Sequence, residues 1–136
     1  MAKVSGAVII ELLGSRGDPV RYTVANANSI TKGDLLFLLD PRTVSGANLA
    51  TGAAAGIAAM DKEASDGSTS ISVYTNGIFD LVAGVSAGAA GALVRISGGN
   101  YIETATAAQM LSGMVLAKTL EAGSAEEYIA CKLVMV

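Results

Sequence analysis

The chain has no histidine and no tryptophan, a single cysteine, two phenylalanines and two prolines in 136 residues. Without histidine there is no Ser-His-Asp or Cys-His constellation, no imidazole acid or base, and almost no route to a transition-metal site. One cysteine cannot build a disulfide framework or a thiolate zinc site. Charged side chains make up only 15% of the residues, against roughly a quarter in ordinary soluble domains. Basic residues are scattered singly, and the net charge is −3. The basic patch of a nucleic-acid binder is missing, and so is an aromatic platform on a basic sheet. No apolar run reaches the ~20 residues of a membrane helix; the uncharged stretch from Thr43 to Met60 is too rich in Gly, Ser, Thr and Asn. The N-terminus lacks the charged start and apolar core of a signal peptide.

What is present is Ala, Gly, Val, Leu and Ile, with sixteen glycines and a positive mean hydropathy. This length suits one domain or two small fused sub-barrels. Low charge implies either a plain Ala-rich domain or a surface that packs against copies of itself or a larger partner.

The period-2 alternation of half-buried strands recurs along the chain. Val4–Leu13 is rich in β-branched residues, and Val20–Ala25 places Val20, Tyr22 and Val24 on one face. Leu35–Leu39, between Asp34 and Asp40, is apolar throughout, as a strand covered on both faces would be, although the periodicity also fits a helical turn. After a polar, Gly-spotted connection to about Gly56, further strands are expected at 57–60, 70–74, 92–96, 101–104, 114–117 and 128–136. Ala105–Leu111 reads either as one or two helical turns or as irregular chain. Asn76-Gly77, between Ser70–Tyr74 and Ile78–Leu81, is the strongest short hairpin signal, since a type I′ turn needs positive φ at both central residues.

Segments also recur. Gly33-Asp-Leu-Leu-Phe matches Gly91-Ala-Leu-Val-Arg, Gly56 matches Gly113, and Gly67 matches Gly123, at offsets of 58, 57 and 56. The expected fold is all-β: a small β-barrel or β-sandwich with an internal pseudo-repeat and one short helical segment. Residues 1–19 form an N-terminal strand or arm. Residues 20–136 form a single β-rich module whose halves are about 33–80 and 91–136, with the Asn76-Gly77 hairpin and the Gly/Ala run 81–91 as the joint.

Candidate chemistry is thin. Glu126 and Glu127 are neighbours on extended chain and point to opposite faces. Asp61, Glu63 and Asp66 crowd one loop without EF-hand spacing and read as a solvated acidic loop. No glycine-rich stretch has the Lys-Ser/Thr of a P-loop. Arg16-Gly17-Asp18 spells an integrin-binding tripeptide but reads as a turn. Cys131 lies in an apolar alternation and reads as a buried structural thiol. No enzyme, cofactor or metal is expected.

The run Asn76-Gly77-Ile78-Phe79-Asp80-Leu81 is followed by a Gly/Ala spacer, Gly91-Ala-Leu-Val, Gly113-Met-Val-Leu-Ala-Lys and a terminal apolar strand. Together they resemble the tailed-phage capsid cement, or head decoration, proteins, over roughly Val20–Val136. Arg95 stands where that family has a tyrosine. The resemblance implies a virion protein made in the host cytoplasm and carried on the outer surface of the capsid. Such a protein clamps neighbouring major capsid subunits as a homotrimer. Its partners would be the major capsid protein and itself, with no nucleic acid, membrane or small-molecule substrate. The signature is then structural: Gly77 sets a turn, Phe79 fills the core and Asp80 caps the following turn. The stretch Val4–Leu13 either adds a strand to the capsid or belongs to the module's own sheet. On the first reading Val4, Val8, Ile10, Arg16 and Arg21 are candidate capsid contacts. The alternative function is a host-surface or carbohydrate-binding β-module of a virion spike or fibre.

Overall fold

The computed structural model describes residues 5–13, 19–40, 42–46, 52–84 and 89–134. Ten of its strands form two closed five-stranded barrels. The first contains β2 (Val20–Val24), β3 (Leu35–Asp40), β4 (Thr43–Gly46), β5 (Ala53–Ala58) and β6 (Ser70–Tyr74), closed in the order β2-β4-β3-β5-β6. The second contains β7 (Ile78–Ala83), β8 (Leu93–Gly98), β9 (Tyr101–Thr104), β10 (Val115–Thr119) and β11 (Tyr128–Leu133). Its order is β7-β11-β10-β8-β9, and β9 returns to pair with β7. An additional strand, β1 (Val8–Glu11), lies antiparallel on β7. The short helix α1 (Ala107–Leu111) links β9 to β10. Its capping box is formed by Thr106 and Gln109, which satisfies two of the amide donors that a helix start leaves open. Closure removes the open sheet edges that an aromatic-poor β-protein would otherwise have to protect.

The all-β reading holds, and the repeat is visible hydrogen bond by hydrogen bond. In the first barrel Leu36 opposes Gly46, Phe37 opposes Ser45, Leu38 opposes Val44, and after a bulge Asp40 opposes Thr43. In the second, Val94 opposes Thr104, Arg95 opposes Glu103, Ile96 opposes Ile102, and after a bulge Gly98 opposes Tyr101. Every position is shifted by 58 (94 − 36). The parallel pairs correspond as well, β2 with β4 and β7 with β9. So do the antiparallel pairs β2 with β6 and β7 with β11.

Three expectations are corrected. The units are 20–74 and 78–133, so the joint is the passage through Asn76-Gly77 and the Gly/Ala run after Leu81 is not part of it. The first residues of that run, to Ala83, complete β7. Gly56 does not correspond to Gly113. The β5–β3 register makes Gly56 equivalent to Ala117, because both oppose the second residue of their β3-type strand. The loop 59–69 is three residues longer than its counterpart 120–127, so glycine matching across it slipped. The expected coil before Gly56 contains β4 and most of β5, where Ala53-Ala-Ala-Gly is extended.

Burial follows the alternation. The lumen of the first barrel holds Val24, Ile30, Leu36, Val44, Ala55, Ala58, Ile71 and Val73. The opposite side of its β3, β5 and β6 carries Leu35, Phe37, Ile57 and Tyr74, which join the core of the second barrel around Phe79, Leu81, Ile96, Leu116 and Ile129. The start of β3 is therefore covered on both faces, as its apolar run implied. Its end is not: Leu38 and Leu39 are 40% and 64% exposed.

A polar clamp fixes one barrel to the other. Asn100, in the β8–β9 turn, accepts a hydrogen bond from the Leu35 amide (3.1 Å) and donates to Asp34 Oδ1 (3.0 Å). Both side chains are almost fully buried. Asn100 has φ +67°, a region asparagine tolerates better than alanine. Asn100→Ala removes the acceptor of a buried amide and adds backbone strain. It is expected to lower unfolding stability by about 2–3 kcal/mol, read as a shift of the urea midpoint.

Candidate functional site

The reactive side chains are occupied structurally. Cys131 is fully buried in the second barrel. Its thiol donates to the Ile129 carbonyl (3.4 Å), and burial, with Asp80 and Glu121 nearby, pushes its pKa up to about 12. It is no nucleophile at neutral pH. The aspartates of the acidic loop are spent on backbone amides. Asp61 accepts from the Lys32 amide (2.6 Å), and Asp66 accepts from the Ser68 amide (2.8 Å) and the Glu63 amide (3.3 Å). Among the described residues no group of three or more Cys, Asp or Glu side chains converges as a metal site would require. No helix among them is long and apolar enough to cross a membrane.

The signature 76–81 marks the passage from one barrel to the other. Asn76-Gly77 is not a hairpin turn: β6 pairs with β2 and β5, and β7 pairs with β11, β9 and β1. Only Gly77 of the two has positive φ (+127°), so the type I′ geometry does not form. Gly77 is still required there, since a Cβ would lie 3.0 Å from both the Glu11 carbonyl and the Phe79 ring. Asn76 is exposed, and its side chain accepts from the Gly77 amide (3.0 Å). Phe79 and Leu81 point into the second barrel at 0% and 1% exposure. Ile78 and Asp80 alternate with them on the outer face, half-buried. Asp80 sits mid-strand opposite Val8 on one side and Ala130 on the other. It therefore caps no turn.

Residues 5–13 run along the module. The Ala7 amide donates to the Gly33 carbonyl (2.8 Å), and Gly6 approaches so closely that a Cβ would lie 2.2 Å from that oxygen. β1 then pairs with the first half of β7, where β9 does not reach. The four residues of β1 are all exposed, Val8 and Ile10 by about half. Arg21 is exposed on β2 of the other barrel, where its guanidinium donates to Ser70 Oγ. The candidate contacts Val8 and Ile10 are thus brought together on β1, and Arg21 is not brought to them. Val4 and Arg16, with the tripeptide 16–18, lie outside the described residues.

Sequence reasoning missed the arrangement of the outer sheet face of the second barrel. Residues directly opposite each other on paired strands share a face. The register gives one row as Glu11, Ile78, Lys132, Lys118 and Leu93, crossing β1, β7, β11, β10 and β8. The adjacent row is Val8, Asp80 and Ala130, with Leu120 hydrogen-bonded beside Ala130. Tyr128 opens the third, opposite Val82. Glu11 and Asp80 lie on the β1–β7 side and Lys132 and Lys118 on the β11–β10 side, where the Glu121 carboxylate is held by the Ala130 amide (3.0 Å). Val8, Leu120 and Tyr128 are 52%, 46% and 48% exposed among them. The alternation in β7 and β11 is legible in sequence, but which strand lies beside which is not.

A comparison of solved folds gives a neighbour for the double barrel. The fold resembles that of a phage head fiber base. The crystal structure of the head fiber gp8.5 N base in bacteriophage phi29 superposes with a TM-score of 0.54, covering 85% of this chain and 92% of that one. Sequence identity over the match is 13%, so the likeness is one of fold. No family model matches the sequence, and no curated protein matches it either.

Proposed function

We propose that this protein is a structural component of a phage virion, without enzymatic activity, that decorates the outside of the assembled head. In this role it stabilises the shell by binding across neighbouring major capsid subunits as a homotrimer. The observation that carries the reading is the fold likeness to a phage head fiber base, over 85% of this chain and 92% of that one. The signature Asn76–Leu81 supports the narrower assignment to a cement protein. A cement needs a rigid module and several weak contacts made at once, since a multimer anchored at one site engages the next at high effective concentration. The described residues supply the rigidity: closed barrels, a shared core and a buried polar clamp.

Co-sedimentation with purified empty heads tests it. The protein is expected to pellet with shells at a fixed stoichiometry to the capsid subunit, and heads lacking it are expected to release their DNA at lower temperature. Failure to bind heads, with normal heads in its absence, refutes the assignment.

The neighbour's being a fiber base favours one second reading, the host-surface or carbohydrate-binding module of a spike or fibre. Sugar recognition usually needs exposed aromatic faces, and here Tyr74 and Tyr101 are buried, Tyr22 is half-buried and Tyr128 stands alone as the exposed tyrosine. Specific signals for the isolated protein on a glycan array would favour this reading over the cement.

A further inference from the structure

The outer face of the second barrel has a telling counterpart. Its row Leu93, Lys118, Lys132 is equivalent, in register, to the row Leu35, Ile57, Tyr74 of the first barrel. In the first barrel that row is buried against the second barrel. The fold thus already uses this face of the repeat as a contact surface, and on the second barrel it is open.

Its charges are sorted along the paired rows, apart from Glu121, whose carboxylate is occupied by the Ala130 amide. Glu11 and Asp80 lie on β1 and β7; Lys132 and Lys118 lie directly opposite each other on β11 and β10. Like charges facing across a strand pair cost stability unless something neutralises them. Among the described residues none of the four side chains forms an ion pair. Between and beside them stand the exposed Val8, Leu120 and Tyr128.

We propose that this face is the surface through which copies of the chain associate. The carboxylates Glu11 and Asp80 of one copy meet the ammonium groups of Lys118 and Lys132 on the next, around an apolar centre of Val8, Leu120 and Tyr128. The occupant is a second copy because the face carries its own complement. In a three-fold ring the acidic side of each copy meets the basic side of the next. The inference deepens the multimeric part of the proposed function by assigning its surface.

Sedimentation velocity and equilibrium on the whole chain test it, with circular dichroism confirming that each variant is folded. Wild type is expected to self-associate. Lys118→Glu with Lys132→Glu is expected to weaken association by about 100-fold or more, as is Glu11→Lys with Asp80→Lys. Mixing the two double variants is expected to bring unlike copies together, acidic face on basic, while each alone stays apart. Where Asp80→Lys disturbs β7, Glu11→Lys mixed with Lys118→Glu gives the same readout. A wild type that stays monomeric, reversed variants that associate as well as wild type, or a mixture that does not recover would each overturn the proposal. A monomer that still pellets with heads would overturn this surface and leave the head-binding assignment standing.

Discussion

Phe79→Ala is expected to lower the unfolding free energy by about 3–5 kcal/mol, the usual cost of truncating a fully buried phenylalanine. Phe79 is 0% exposed and lies in the shared core cluster. Its ring packs on Tyr74 of the first barrel, with centroids 5.6 Å apart and planes inclined at 45°. The substitution therefore removes lumen packing in the second barrel and a contact between the barrels at once. The neighbouring backbone is held by β1, β11 and the Gly77 passage, so the cavity has little freedom to collapse, which places the cost in the upper part of the range. The repeat supplies an internal control. Val20 is the counterpart of Phe79, since Val20 opposes Val73 as Phe79 opposes Cys131. It is 36% exposed at a barrel mouth, and Val20→Ala is expected to cost under about 1 kcal/mol. Urea unfolding followed by circular dichroism reads both. An unchanged midpoint for Phe79→Ala would mean the core is elsewhere.

What the sequence disclosed, and what it hid, divides along physical lines. Alternation located β2, β6, β8 and β11 because their two faces differ in chemistry, and Phe79 stood out as one of only two phenylalanines. The repeat was legible where strands begin with glycine at a tight turn, Gly33 and Gly91. It was misaligned at Gly56, where loop length differs between the halves. β5 was hidden because Ala53, Ala54 and Ala55 carry too little side chain to show a period, and β4 because its polar residues resemble a turn. Asn76-Gly77 misled for a stronger reason. Local turn propensity says nothing about partner choice, and closing each barrel on itself outweighs one favourable hairpin. The sorted charges around Lys118 and Lys132 arise from pairing between strands far apart in sequence. They are visible only once register is known.

Lys62 has no counterpart role in the second barrel, and its loss is expected to be nearly as damaging as that of Phe79. Its side chain is 1% exposed. Nζ donates to the carbonyls of Asn26 (2.7 Å), Asn28 (3.0 Å) and Glu63 (3.0 Å) and lies 3.3 Å from Asp66 Oδ1. Its backbone pairs with Ile30 in both directions. The ammonium thus ties the longer loop 59–69 to the loop after β2. In the second barrel, the shorter equivalent loop leaves that task to the buried Thr119, which joins the Ala92 amide to the Ala89 carbonyl. Lys62→Met keeps the apolar stem but leaves three carbonyls without their donor and Asp66 without its cation. The expected loss is about 2–4 kcal/mol at pH 7, below the full cost of breaking a buried pair because a third of the Asp66 side chain is exposed. Acid separates the two components. The Ser68 amide, then Lys62, hold the Asp66 carboxyl below its ordinary value of 3.8, against the opposing effect of burial. A carboxylate lowered on folding adds stability above its unfolded pKa and withdraws it as pH falls through the folded one. Wild type is therefore expected to weaken as pH falls below about 4. The gap between wild type and Lys62→Met should narrow over the same interval, as Asp66 becomes neutral in both. The part that persists at pH 2 is the contribution of the three carbonyls. A gap that vanished entirely would assign all of the stabilisation to the ion pair.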